Sequence, residues 1–297
     1  MSRRRISAVL TALVVGTAAP VLLPAQSASA APCSSYPNWV AGKSYNAGDI
    51  VRYTDGKAYI AEHANPGYDP VISTWYWEPY ACDGGSNPGT PSGFVVSEAQ
   101  FNQMFPSRNS FYTYSGLKAA LGAYPAFANT GSDTTKKQEA AAFLANVGHE
   151  TGGLVHIVEQ NTANYPHYCD WGQPYGCPAG QAAYYGRGPI QLSWNFNYKA
   201  AGDALGIDLL NNPWLVQNDS AVAWKTALWY WNTQTGPGTM TGHNAMVNGA
   251  GFGQTIRSIN GSLECDGKNP AQVQSRVNNY QRFTQILGVS AGANLYC

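Results

Sequence analysis

The 297-residue sequence is short of charge: Asp, Glu, Lys and Arg make up 11% of it, and 17 basic residues offset 17 acidic ones. Globular chains ordinarily carry about a quarter. With no basic excess there is no electrostatic footprint for a polyanion, so neither nucleic acid nor an anionic membrane is expected as a partner. Beyond residue 23 no apolar run approaches the ~20 residues that span a bilayer. No Gly-x-Ser-x-Gly elbow marks a serine hydrolase. His149-Glu150 opens the His-Glu-x-x-His pattern of zinc peptidases, yet Gly153 stands where the second histidine belongs, and one histidine does not hold the metal. No metal and no organic cofactor is expected.

In place of charge, the surface must be wetted by Gly, Ser, Thr, Asn, Gln and Tyr, a makeup suited to exported proteins that handle neutral polymers. Residues 1–30 read as a signal peptide: Arg3-Arg4-Arg5 is a basic head, residues 6–23 an apolar stretch broken by Pro20, and Ala28-Ser29-Ala30 the cleavage site. A membrane anchor is the weaker reading, because Gly16, Thr17 and Pro20 interrupt the apolar run. The expected location is extracellular. Six cysteines in an exported chain predict disulfides. Of the fifteen or so pairings open to six cysteines, locality favours Cys33 with Cys82, Cys169 with Cys177, and Cys265 with Cys297. A zinc site built on His167, Cys169 and Cys177 is the competing reading, and an oxidising compartment disfavours it.

Residues 31–82 are aromatic and full of turns. Asp49 to Tyr53 and Lys57 to Glu62 read as strands joined across Asp55-Gly56, a hairpin signal, with Trp75-Tyr76-Trp77 as a third short strand. So small a unit buries little core, and a Cys33–Cys82 bridge would close it. Tyr36-Pro37-Asn38-Trp39, Tyr45 to Val51, Tyr59-Ile60-Ala61 and Trp75 to Tyr80 resemble a small family of chitin- and cellulose-binding modules. That resemblance implies polymer binding through exposed rings; Tyr68, Trp75 and Tyr76 are the candidates. Residues 83–93, rich in Gly, Pro and Ser, read as a linker.

From residue 94 the pattern turns helical. Ser97 with Gln100, Thr135 with Gln138, Asp219, and Asn269-Pro270 are expected to open helices. Glu139, Phe143, Asn146, Val147 and Glu150 recur at helical spacing, so Glu150 shares a stripe with core residues and faces inward. Glu159 is nine residues on (159 − 150), which in a continuous helix would put it on the opposite face and roughly 13.5 Å away. Gly152-Gly153 ends the helix and lets the chain double back, bringing Glu159 across a groove. The run 184–198 mixes aromatics, amides, a hydroxyl and an arginine. Such groups are costly to bury unpaired but suit the wall of a sugar site. Two carboxyls beside it point to glycoside hydrolysis.

His149 to Gly153, Tyr184 to Ser193, Asn195 to Tyr198, Gly251-Phe252-Gly253, Ile259-Asn260-Gly261, Glu264-Cys265 and Ile286 to Val289 resemble the family 19 glycoside hydrolases, which are chitinases. The resemblance spans roughly 94–297. It implies a mainly α-helical, lysozyme-like catalytic domain behind the small β module, and inverting hydrolysis of β-1,4-linked N-acetylglucosamine. By position it implies Glu150 as proton donor, Glu159 as the base that activates water, and Ser193 as the group holding that water. Gln191, Asn197 and Asn260 match amide contacts to sugar. Glu264 and Arg276 match a pair beside the acid, and Tyr184 belongs to the sugar-lining run. The segments between the two glutamates and from Trp231 to Gly251 are short, which implies fewer loops over the cleft and fewer sugar subsites. The expected partners are chitin and its oligosaccharides, met by a monomer. A peptidoglycan-cleaving hydrolase of lysozyme type and a non-catalytic chitin-binding protein are the alternatives.

Overall fold

The structure, a computed structural model, describes residues 33–54, 56–71, 73, 76–80, 82 and 94–297. The expected signal peptide, the linker, Asp55 and Trp75 lie outside the described residues.

In the N-terminal unit, β1 (Ile50–Arg52), β2 (Ala58–Ala61) and β3 (Trp77–Tyr80) form an antiparallel sheet in the order β1-β2-β3, with Val51 opposite Tyr59 and Tyr59 opposite Pro79. The third strand starts later than the aromatic triplet suggested. Pro79 is tolerated because β3 is an edge strand, where a missing N–H breaks no ladder. Val51, Tyr59, Ala61 and Trp77 meet Tyr45 in a small core, and the Trp77 indole N–H donates to the Tyr68 carbonyl at 2.8 Å. The Cys33–Cys82 bridge is formed. Tyr68, half exposed, and Tyr76 lie with ring centroids 4.8 Å apart and planes 36° from parallel.

The second unit is built from α1 (Glu98–Met104), α2 (Tyr114–Leu121), α3 (Asp133–Glu150), α4 (Asn195–Leu205), α5 (Leu215–Asn218), α6 (Ser220–Thr233), α7 (Gly242–Val247), α8 (Phe252–Glu264) and α9 (Pro270–Ile286). Its only extended pairings among the described residues are isolated bridges, Val158 with Arg187 and Arg187 with Leu192. Local chemistry accounts for the starts. Ser97 and Gln100 make the capping box of α1, Asp219 accepts from the Val222 N–H at α6, and Asn269 precedes Pro270 at α9. The start of α3 corrects the sequence reading. Ser132, not Thr135, is the cap: its hydroxyl accepts from the Thr135 N–H, which puts Thr135 inside the first turn.

Helix α3 is the axis of the unit. Every residue from Glu139 to Gly148 is buried, against α7, α8 and α9. The Phe143 ring lies 5.0 Å from Phe127, 5.5 Å from Trp231 and 6.1 Å from Trp224, centroid to centroid. Burying a ring of this size is worth about 1.5–3 kcal/mol, and the cluster holds α3 against α6. The Cys169–Cys177 and Cys265–Cys297 bridges are formed as locality suggested.

Candidate active site

Glu150 is the last residue of α3. The helix stops there because Gly152 and Gly153 have φ of 61° and 86°, a left-handed turn that side chains resist. The Thr151 hydroxyl donates to the Val147 carbonyl at 2.6 Å and accepts from the Leu154 N–H at 2.8 Å, serving backbone groups that the broken helix leaves open. The chain then returns alongside the 184–198 run. Gly188 N–H donates to the Ile157 carbonyl at 2.8 Å, and Glu159 N–H donates to the Gly186 carbonyl at 2.8 Å. Glu159 is thereby registered beside Gly186, and it lines the same cleft as Ser193.

Both carboxyls line one cleft of about 570 Å³. Glu150, Tyr230 and Asn260 reach it from α3, α6 and α8; Glu159 reaches it from the returning segment, Gln191 and Ser193 from the stretch before α4, and Asn197 from the first turn of α4. Gly186 is needed for its size. A Cβ there would sit 2.9 Å from Gln191 Oε1 and 3.3 Å from Ser193 Oγ, so a side chain would displace two cleft groups. Ser193 Oγ donates to the Gln191 carbonyl at 2.8 Å, Gln191 Nε2 to the Gly188 carbonyl at 3.0 Å, and Asn197 Nδ2 to the Ser193 carbonyl at 2.9 Å.

The surroundings of the two glutamates differ. Glu150 Oε1 accepts from Arg276 Nη2. The same guanidinium binds Glu264 through Nε and Nη2, each at 2.8 Å, and Asn146 Oδ1 at 3.1 Å. Asn260 Nδ2 completes Glu264 at 2.7 Å. Burial pushes the Glu264 carboxyl up, but the arginine and the amide outweigh it and hold it below the ordinary glutamate value. Burial also works against the Arg276 charge, and the two carboxylates more than compensate. His149, next to Glu150, is held below its usual value by burial and then by the Arg276 charge; its Nδ1 meets Ser275 Oγ at 3.0 Å. Among the described residues Glu159 has only neutral partners. Asn164 Nδ2 and the Tyr168 hydroxyl donate to its Oε1 at 2.8 and 3.0 Å. Burial and that bond push Tyr168 up to about 12.

Residues 95–297 match the family model of glycoside hydrolase family 19, class I chitinase. The chain belongs to glycoside hydrolase family 19. This chitinase is 45% identical over 209 residues to chitinase 6 of Oryza sativa subsp. japonica, covering 70% of this chain and 73% of the relative. It is 45% identical over 210 residues to endochitinase A of Zea mays, covering 68% and 71%. A solved structure of a bacterial family 19 chitinase is 86% identical with a TM-score of 0.68, covering 69% of this chain and 100% of the other. Chitinase C from Streptomyces griseus is 76% identical with a TM-score of 0.69, covering 72% and 100%. The mainly helical, lysozyme-like catalytic fold is therefore that of the family, and hydrolysis of chitin is its activity.

Most of the residues picked from the sequence meet at the chitinase's cleft. Three stand back from it. Tyr184, expected to touch sugar, is fully buried: its hydroxyl donates to the Leu210 carbonyl at 2.8 Å and accepts from the Ala179 N–H at 3.0 Å, so its ring supports the wall from behind. Arg276 and Glu264 are 1% and 4% exposed and act through Glu150 and Asn260. Conversely, Asn146, Asn164, Tyr168 and Tyr230 serve the site without having been singled out for it. The amide- and tyrosine-rich stretch between Glu159 and Cys169 was the available signal for Asn164 and Tyr168. Among the described residues no cluster of His, Cys, Asp and Glu could hold a metal ion, and no helix is long and apolar enough to cross a membrane.

Proposed function

We propose that this chitinase cleaves β-1,4-linked N-acetylglucosamine polymers by a single displacement with inversion, Glu150 acting as general acid, Glu159 as general base and Ser193 as the hydroxyl that holds the water. The observation that carries this reading is the convergence of two differently furnished carboxyls on one cleft lined with amides. One arginine faces Glu150 and Glu264 together, and that trio balances in charge when one carboxyl carries a proton. Glu159 is oriented by neutral donors, which fix its direction without neutralising it. A water between Glu159 and Ser193 would lose its proton to Glu159 as its oxygen attacks the anomeric carbon. Glu150 would give its proton to the glycosidic oxygen as the C–O bond breaks. Gln191, Asn197 and Asn260 offer amide partners to the sugars.

Anomer-resolved NMR of the first product tests the mechanism. An α product from the β-linked polymer is expected, with Glu150→Gln nearly inactive; a β product would remove the role given to Glu159. Product release from chitin, set against clearing of peptidoglycan suspensions, tests the substrate. The short segments flanking the cleft support cleavage of short oligomers. Residues 1–30 carry the chain out of the cell in this reading, and the β unit of 31–82 anchors it on insoluble chitin through Tyr68, Trp75 and Tyr76. The half-exposed Tyr68 beside Tyr76 supports that role. Such tethering raises the local concentration of enzyme on its polymer.

A further inference from the structure

Behind Glu159 lies a feature that the chemistry described above does not use. Arg187 is wholly buried, yet its partners are neutral. Nε donates to Gln217 Oε1 at 2.6 Å, Nη1 to the Ala183 carbonyl and the Tyr198 hydroxyl at 2.7 Å each, and Nη2 has no hydrogen-bond partner among the described residues. A buried guanidinium without an acid, and with one unmatched N–H group, is costly to keep. The compensation comes from a ring. Arg187 Cζ lies 3.6 Å from the Tyr185 ring centroid, too close for anything but the face. Tyr165 stacks on Tyr185 with centroids 3.6 Å apart and planes 9° from parallel. One face cannot hold both at that distance, so Tyr185 is sandwiched between the cation and Tyr165.

The outer ring of this sandwich is tied to Glu159. The Tyr165 hydroxyl donates to the Glu159 carbonyl at 2.9 Å, and its neighbour Asn164 donates to Glu159 Oε1. Both residues sit on the short 3-10 turn Thr162–His167, which contains a proline and has no side-chain cap. At the inner end, the Arg187 backbone exchanges hydrogen bonds with Leu192 at 3.2 and 2.9 Å and bridges Val158, the residue before Glu159. None of Tyr165, Tyr185 and Arg187 lines the cleft.

The geometry points to a positioning role: the Arg187–Tyr185–Tyr165 stack clamps the Glu159 loop so that its carboxylate stays in register with Ser193. This rests on Glu159 being the base. Misplacing a reacting group by about 1 Å costs up to roughly 100-fold in rate. In the full chain acting on a soluble N-acetylglucosamine oligomer, Tyr165→Leu should lower kcat by about 10- to 100-fold and move KM by less than about 3-fold. Tyr165 is only half-buried, so the variant should fold. Tyr165→Phe keeps the stacked ring but loses the hydroxyl's bond to the Glu159 carbonyl, and its kcat should fall between those of wild type and Tyr165→Leu. In a Glu159→Gln background, Tyr165→Leu should add no further loss, because its effect runs through that side chain. Wild-type kcat for Tyr165→Leu with Glu159→Gln crippled would overturn the stack's role alone, as would a full additive loss in the double variant. Wild-type kcat for Glu159→Gln would instead overturn the base assignment, and the stack's role with it.

Discussion

Arg276 offers the sharpest test of how the site is held. It lies 1% exposed between Glu264, 4% exposed, and Glu150, with Asn146 on its remaining edge. Arg276→Met keeps much of the volume and removes the only cation of the trio. Breaking a buried pair by removing one partner costs about 3–5 kcal/mol, since the surviving charge stays desolvated. For a catalytic domain of this size each kcal/mol shifts Tm by about 2–4 °C, so a fall of roughly 6–20 °C is expected by calorimetry. Hydrolysis of a soluble oligomer should fall with it, because Glu150 loses its donor and Asn260 loses the fixed carboxylate that orients it. Adding Glu264→Leu replaces the pair by apolar groups, a change that is often near neutral. The double variant should therefore recover much of the Tm and none of the activity. A single Arg276→Met that melts within about 2 °C of wild type, or a double variant that regains kcat, would refute the reasoning.

Four further outcomes follow from the geometry. Glu264 titrates below the ordinary glutamate value when folded, so its stabilisation is present above about pH 4.5 and is lost as pH falls through the folded value; Glu264→Gln should flatten the acid limb of the Tm profile. His243 meets the fully buried Glu139, which also takes the Trp231 indole N–H, and that bond raises His243 above 6.5 although burial opposes it. The pair's contribution is full below about 6.5 and fades as pH rises through the folded value, so His243→Ala should cost about 1.5–3 kcal/mol near pH 5.5 and less near pH 9. Equal losses at both would exclude a charged pair. Gly186→Ala should lower kcat by about 10-fold or more by displacing Gln191 and Ser193, with little change in Tm, which steady-state kinetics and melting curves would separate. Tyr68→Ala with Tyr76→Ala should weaken retention on insoluble chitin and leave turnover of soluble oligomers unchanged; unaltered retention would move the binding surface elsewhere.

Much of this protein was legible because its signals are local. A capping box at Ser97, a proline after Asn269, and a pair of glycines after Glu150 each act within a few residues, and each stands in the structure where it was read. The inward direction of Glu150 was also a local reading, although α3 is buried on every side from Glu139 to Gly148 rather than along one stripe and Glu150 itself stays partly exposed; the three disulfides join cysteines that are consecutive in chain order. The Thr135 cap failed for a local reason too: Ser132 offered the same hydroxyl three residues earlier, and periodicity does not choose between neighbouring polar residues.

What pattern could not supply was partnership across the fold. Tyr184 and Tyr185 look alike in sequence, yet one is spent in the core and the other is pressed between Arg187 and Tyr165. Arg276 and Arg187 are both buried arginines; one found two carboxylates from α3 and α8, the other an aromatic face. Residue type and spacing set which helices form and which groups point inward. Only the packing of distant segments sets what each inward group meets, and the partner, more than the side chain itself, decides its charge, its orientation and its use.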